Sequence, residues 1–301
     1  MRLLTRSDFD GLACGALLVY LGLIDDWKFV HPKDIQDGLV EATDNDILAN
    51  IPYIKGCKIW FDHHSSETER LGKDIFFEGV SKHAPSCARV VYEYYGGDAK
   101  LSRFSEMIHY VDKVDSGNLT AGEILHPGGW VLLGFIMDPR TGLGRFRNFS
   151  ISNYELMKDL AKLCAEKSIE DILALPDIKE RLNLYFQQTE LFKEMILKHA
   201  KPSKNALVVD LRGVETIYAG NRFYIYTLFP EQNISIWIID GRNKTNVAIT
   251  VGYSIINRSA TADVGSLLLS YGGGGHRQVG TCQVSTDEAD KIIAEIIEKL
   301  D

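Results

Sequence analysis

The sequence predicts an α/β protein in three parts: an N-terminal parallel-sheet domain over residues 1–150, a helical connector over 151–201 and a smaller C-terminal α/β domain over 202–301. Three observations predict it. In the first part short apolar runs alternate with segments of helical period, the pattern of strands joined by crossover helices. From residue 151 the apolar residues fall at helical spacing: Leu156, Leu160 and Leu163, then Leu182, Tyr185 and Phe186, then Leu191, Phe192 and Met195. Beyond Lys201-Pro202-Ser203 the chain turns to runs rich in Val, Ile and aromatic residues.

In order, the elements read as strand 2–5, helix 11–23, strand 28–31, strand 39–43 and strand 58–61. Pro85 and Ser86 then open a helix that stops at Gly96-Gly97. After the connector come strands 206–211, 222–229, 234–240 and 246–253, and a helix 263–270. The run Gly272 to Gly275 with His276, a strand 279–284 and a last helix 287–300 complete the chain. Parallel sheets gather ligands beyond the carboxyl ends of their strands. The residues that follow strands in the first part are therefore the ones to weigh for function.

Composition narrows the function classes. With 45% hydrophobic and 25% charged residues the chain has the make-up of a water-soluble globular protein. No run approaches the roughly 20 apolar residues of a membrane span, and the start, MRLLTRSDFDG, is too acidic for a secretory signal, so a cytoplasmic location is expected. Cys14, Cys57, Cys87, Cys164 and Cys282 have no paired spacing, which favours reduced thiols over disulfides or a thiolate metal site. A net charge of −8 argues against binding long nucleic acid but leaves room for a small anion in a locally basic pocket.

Four segments concentrate acidic and imidazole groups: Asp8-Phe9-Asp10, Asp44-Asn45-Asp46, Asp62-His63-His64 and the pair Asp112 and Asp115. Taken singly, each aspartate reads equally well as a turn former or helix cap. Asp62-His63-His64 is different. It follows the apolar run Ile59-Trp60-Phe61, and two imidazoles behind a carboxylate are costly to bury without partners. Oxygen and imidazole donors without thiolates suit Mn²⁺ or Mg²⁺.

"SDFDG", a later acidic residue, "DHH", a further aspartate and "GGGGHRQVG", in that order, resemble the DHH phosphoesterase family over nearly the whole chain. The resemblance implies a DHH catalytic domain followed by a DHH-associated substrate domain, and two divalent ions, Mn²⁺ or Mg²⁺. By position, Asp8 would hold one ion and Asp10 the other, and Asp46 (with Asp44 as its rival) would bridge them. His63 would ligate the second ion, completed by Asp115 or Asp112; His64 would face the substrate phosphate and Asp62 would orient the histidines. Asp10, Asp62, His63 and His64 form the expected catalytic set.

One position departs from the family. Many members carry a histidine where this chain has Arg6, and a guanidinium has no lone pair for a metal. Arg6 is read as a clamp on substrate phosphate beside a weakened first metal site, as a cation in that ion's place, or as the mark of a protein that binds without catalysis. In the last domain the resemblance assigns substrate binding to Gly273, Gly274, Gly275 and His276, and to Arg258 with Asn257. Val279 is bulkier than the residue usual there. Tyr253 and Tyr271 are candidates for stacking on a base. Arg140, Arg145 and Arg147 read as a solvated loop or as a basic rim, and Lys33 as a neighbour of phosphate.

The expected activity is metal-dependent hydrolysis of phosphodiester bonds in short oligonucleotides or small cyclic or linear nucleotides. An exopolyphosphatase or pyrophosphatase is the first alternative, a catalytically inactive nucleotide-binding regulator the second. The expected partner is a small phosphate-containing substrate. Pairing of chains into a homodimer is also implied by the resemblance, with no residue in the sequence to fix an interface.

Overall fold

The computed structural model describes residues 1–64, 75–241 and 244–300; the side chains of Lys33 and Gln36 also lie outside the described residues. The first half builds a five-stranded sheet in the order β2-β1-β3-β4-β5, with β1 at Arg2–Thr5, β2 at Asp26–Phe29, β3 at Asp46–Ala49, β4 at Ile59–Asp62 and β5 at Gly79–Ser81. Every pairing is parallel. Such a sheet must be covered on both faces. On one face the helix Phe9–Tyr20, nearly all buried, packs against helices Cys87–Tyr94 and Asn153–Glu166. On the other, Leu4, Leu48 and Trp60 join Val40 and Ile51 in a smaller apolar cluster. All five strands run the same way, so Thr5, Ala49, Asp62 and Ser81 end at one common edge of the sheet.

Two expected strands are corrected. Residues 39–43 form no strand, and Leu39 is 72% exposed; the third strand is Asp46–Ala49, whose four residues are all buried. The apolar pair at 39–40 was the weaker signal, because it is followed by Glu41 rather than by further apolar residues. Residues 222–229 also form no strand but contain the helix Tyr224–Leu228. The reason is topological. Strand β7 (Ala206–Asp210) pairs in parallel with β8 (Ile234–Asp240), and a parallel pair needs a crossover, often helical, between its strands.

The second sheet runs β10-β11-β9-β8-β7-β6, adding β6 (Ala200–Ser203), β9 (Asn246–Tyr253), β10 (Gly274–His276) and β11 (Val279–Ser285). Apart from β7 and β8 its pairings are antiparallel. Period-two alternation puts Ile234, Ile236 and Ile238, Val247, Ile249 and Val251, and Cys282 and Val284 in one core with residues of helices Val264–Leu269 and Ala289–Lys299. Pro202 sits in β6, an edge strand, where its missing N–H is tolerated.

The chain divides into two compact units, Met1–Leu119 with His126–Tyr185, and Thr120–Leu125 with Phe186–Asp301. The long helix Pro176–His199 contains the division. All five cysteines are free thiols. Among the described residues no helix is long and apolar enough to cross a membrane.

Candidate metal centre

The turn after β1 is built around Asp8 and Gly11. Asp8 caps the helix Phe9–Tyr20, its Oδ1 accepting from Gly11 N at 3.0 Å. Gly11 is required by space, since a Cβ there would lie 2.1 Å from the Arg6 carbonyl oxygen. This tight entry brings Asp10 into the first helical turn, 2% exposed. There its two oxygens accept from Ala88 N at 2.7 Å and Cys87 N at 2.9 Å. Both donors belong to the first turn of helix Cys87–Tyr94, where a carboxylate complements the dipole.

Strand β4 delivers the histidines. Asp62 is its last residue, fully buried, and its Oδ1 lies 2.8 Å from His64 Nδ1. His63 Nδ1 lies 3.1 Å from the Ala84 carbonyl, which accepts only if that nitrogen carries the proton. The tautomer so assigned leaves the Nε2 lone pair of His63 directed at Asp115 Oδ2, 3.5 Å away, and Asp10 Oδ2, 3.7 Å away. Asp115 closes the helix Ser105–Asp115. One ligand atom from each of Asp10, His63 and Asp115 falls within 4.8 Å of the other two.

The electrostatics ask for a cation at that point. Burial, then the charges of Asp115 and Asp8, push Asp10 well above the usual carboxylate range, against the pull of the Ala88 and Cys87 N–H groups. Burial also raises Asp115, although His63 opposes it. Burial works to lower His64, but Asp62 more than offsets it and the ring ends above its ordinary value. Two carboxylate oxygens and one imidazole nitrogen, each oriented by a second hydrogen bond or by a helix end, are a donor set that fits Mn²⁺ or Mg²⁺.

Arg6 faces Asp8, with Nε 3.2 Å from Oδ2. Arg140 pairs with Asp138, Nε to Oδ1 at 2.8 Å, and both line the same cavity as Asp8, Asp10 and Asp115. Of the loop arginines weighed from the sequence, Arg140 therefore belongs to the centre.

Asp46 does not. It opens β3 opposite Arg2, whereas the centre lies beyond the other end of the strands, about 13 Å further along at 3.3 Å per residue. Its carboxylate is held by Arg2 Nε at 2.7 Å and Nη2 at 3.0 Å, and by the Thr43 N–H and hydroxyl. Asp44, two residues before that strand, sits at the same wrong end. Asp112 is corrected too: Arg89 Nη2 binds it at 2.6 Å and Ser86 Oγ at 2.7 Å, away from the donor set. Sequence reasoning missed Asn50, which follows β3 as Arg6 follows β1 and His63 follows β4. Asn50 is 1% exposed, adopts φ 59°, and its Nδ2 donates to Asp8 Oδ1 at 3.1 Å. Correct placement of β3 was the signal that would have found it.

In the second unit Gly273, Gly274, Gly275 and His276 form a hairpin rather than an open loop, with β10 paired to β11. Gly273 and Gly275 are dictated by packing: a Cβ would lie 2.2 Å from the carbonyl oxygens of Thr281 and Val279 respectively. His276 and Arg258 are exposed. Asn257 is engaged within its own unit, donating to the Glu231 carbonyl at 2.9 Å and accepting from the Ser259 hydroxyl at 2.7 Å. Tyr253 and Tyr271 pack against the apolar core, and their hydroxyls bind the Ala262 carbonyl and Glu295, an arrangement that does not offer them for stacking.

No family model and no curated protein matches the chain. Among solved structures it is similar to the pGpG-specific phosphodiesterase PggH from Vibrio cholerae, with 47% identity over 99% of this chain and 98% of that one and a TM-score of 0.85. RecJ from Thermus thermophilus in complex with Mn²⁺ matches 99% of this chain and 51% of its own at 16% identity and a TM-score of 0.58. The exonuclease RecJ bound to manganese matches 99% of this chain and 89% of its own at 15% identity and a TM-score of 0.52. The RecJ likenesses show a shared fold. Identity of 47% sustained from end to end is more than a fold can impose, and it follows that this chain belongs to the DHH phosphoesterase family.

Proposed function

We propose that this protein is a phosphodiesterase, dependent on Mn²⁺ or Mg²⁺, that hydrolyses short oligonucleotides, with pGpG the first substrate to test. The observation that carries the reading is the convergence of Asp10, His63 and Asp115 on one point, in a chain so similar to PggH. A divalent ion held by those three residues would supply the positive charge that stabilises phosphoryl oxygens in an in-line displacement. The chain's own groups support the rest. The Ala84 carbonyl keeps the proton of His63 on Nδ1 and so keeps Nε2 a donor of electrons. Asp62 beside His64 Nδ1 favours the protonated ring instead, and the raised pKa makes His64 a proton source. As a water oxygen bonds to phosphorus and the bond to the leaving sugar oxygen breaks, His64 hands that oxygen a proton, and the proton shed by the attacking water passes to solvent, from which the ring is reprotonated. Arg6 and Arg140 offer positive charge to the substrate phosphate.

The test is hydrolysis of pGpG to two guanosine monophosphates after chelation and addition of Mn²⁺ or Mg²⁺, beside a polyphosphate chain. Asp10→Asn and His63→Ala should each lower the rate by about 100-fold or more, the scale of removing a key transition-state interaction. Hydrolysis of polyphosphate alone, or unchanged rates in both variants, would overturn the reading. Tight pGpG binding without turnover at any ion concentration would point to a regulator instead.

A further inference from the structure

The centre has room in its chemistry for one ion, and the reason lies at Asp8. Its Oδ1 already accepts two hydrogen bonds, from Gly11 N and from Asn50 Nδ2. Its Oδ2 is ion-paired with the Arg6 guanidinium. An amide nitrogen and a guanidinium are donors of protons, not of electron pairs, so neither can ligate a cation. Asn50 is also pinned: it is almost fully buried, and its backbone N–H points to Cys87 Sγ at 3.1 Å. Among the described residues, Asp10, His63 and Asp115 are the group able to hold an ion, and Asp8 is not part of it.

Charge leads to the same count. Four carboxylates line the cavity, those of Asp8, Asp10, Asp115 and Asp138, and Arg140 is the guanidinium on its wall. Arg6 adds a second positive charge from its place on Asp8. Two negative charges are left over, the number that one divalent ion neutralises. A second ion would reverse the sign of the site.

We infer that the centre takes a single divalent ion, and that Arg6, held on Asp8 and flanked by Asn50, stands where a second cation would otherwise bind. The inference rests on the metal-dependent reading above and replaces the two-ion expectation. It makes Arg6 a fixed charge beside the ion, independent of ion concentration.

The experiment is a calorimetric titration of the chelated 301-residue chain with Mn²⁺, read with electron paramagnetic resonance and a pGpG assay on the same sample. One ion per chain is expected, with the spectrum of an isolated Mn²⁺. The double variant Arg6→His with Asn50→Asp turns both blocking groups into ligands. It should take two ions and show the spectrum of an exchange-coupled pair, with circular dichroism reporting the fold. Two ions in the wild type would overturn the inference while leaving the proposed activity standing. One ion with pGpG untouched would support it and sink that activity. No ion in the wild type would overturn both. A folded double variant that still takes one ion would also count against the inference, because Arg6 and Asn50 would then not be what excludes the second.

Discussion

Arg2 and Asp46 occupy the amino end of adjacent strands, and their fork is a stability feature rather than a part of the centre. Burial disfavours the ionised Asp46 carboxylate, but Arg2 and the two Thr43 donors outweigh it and hold its pKa below the usual range. A carboxylate whose folded pKa lies below its unfolded value stabilises the protein above that unfolded value, about 3.9 for aspartate. The contribution is lost as pH falls through the folded value. Asp46→Asn should therefore cost about 1–3 kcal/mol at pH 7 and flatten the acid limb of the stability curve, with Mn²⁺ affinity unchanged. Thermal melts at neutral and acid pH beside an ion titration check this; loss of the ion in a folded variant would restore Asp46 to the centre. The same pair shows what was hard to read residue by residue. Asp62, His63 and His64 were legible because an apolar run of three marks the end of their strand. Asp46 misled because a buried aspartate at the start of a strand looks, in sequence, like one near its end.

Helix Cys87–Tyr94 is the element on which the position of Asp10 depends. Ser86 caps it, accepting from Arg89 N at 3.0 Å and donating to Asp112, which Arg89 also grips. The cap holds the two N–H groups that orient Asp10. Ser86→Ala should cost about 1 kcal/mol of stability, the usual worth of such a cap, and weaken Mn²⁺ binding several-fold through Asp10. A melting curve with an ion titration separates the two effects; a stability loss with full ion affinity would mean Asp10 is held without the cap. Gly11 acts at the same scale. Gly11→Ala forces a Cβ onto the Arg6 carbonyl and should displace the whole turn, lowering both melting temperature and ion affinity. The Pro85-Ser86 helix start was legible from sequence, as were strands Ile234–Asp240 and Asn246–Tyr253. The helix Tyr224–Leu228 was not, because its aromatic and β-branched residues have strand propensity and only the parallel pairing of β7 with β8 overrides it.

At the scale of the whole molecule the centre is a deficit of positive charge that folding creates and an ion removes. The unfolded chain has no such convergence, so an ion that binds the folded form stabilises it by mass action. Mn²⁺ at a hundred times its Kd should raise the unfolding free energy by about 2.7 kcal/mol, and chelation should reverse the gain. A melting temperature indifferent to Mn²⁺ would contradict the assignment of Asp10, His63 and Asp115. The exposed acidic surface implied by a net charge of −8 also sets a limit, since a polyanion is drawn only to the cationic groups gathered around the cavity.

The sequence by itself determined the family, the α/β class and the segments that hold the candidate ligands, because order and local pattern carry those facts: SDFDG and DHH each follow a short apolar run that forms a buried strand. The tertiary structure alone decided which aspartates meet. Parallel strands share a direction, so a side chain's place at one end or the other turns on a register of four residues that local composition does not encode. That register sent Asp46 to Arg2, brought Asn50 beside Asp8, and left Asp10, His63 and Asp115 as the cluster of possible metal donors among the described residues.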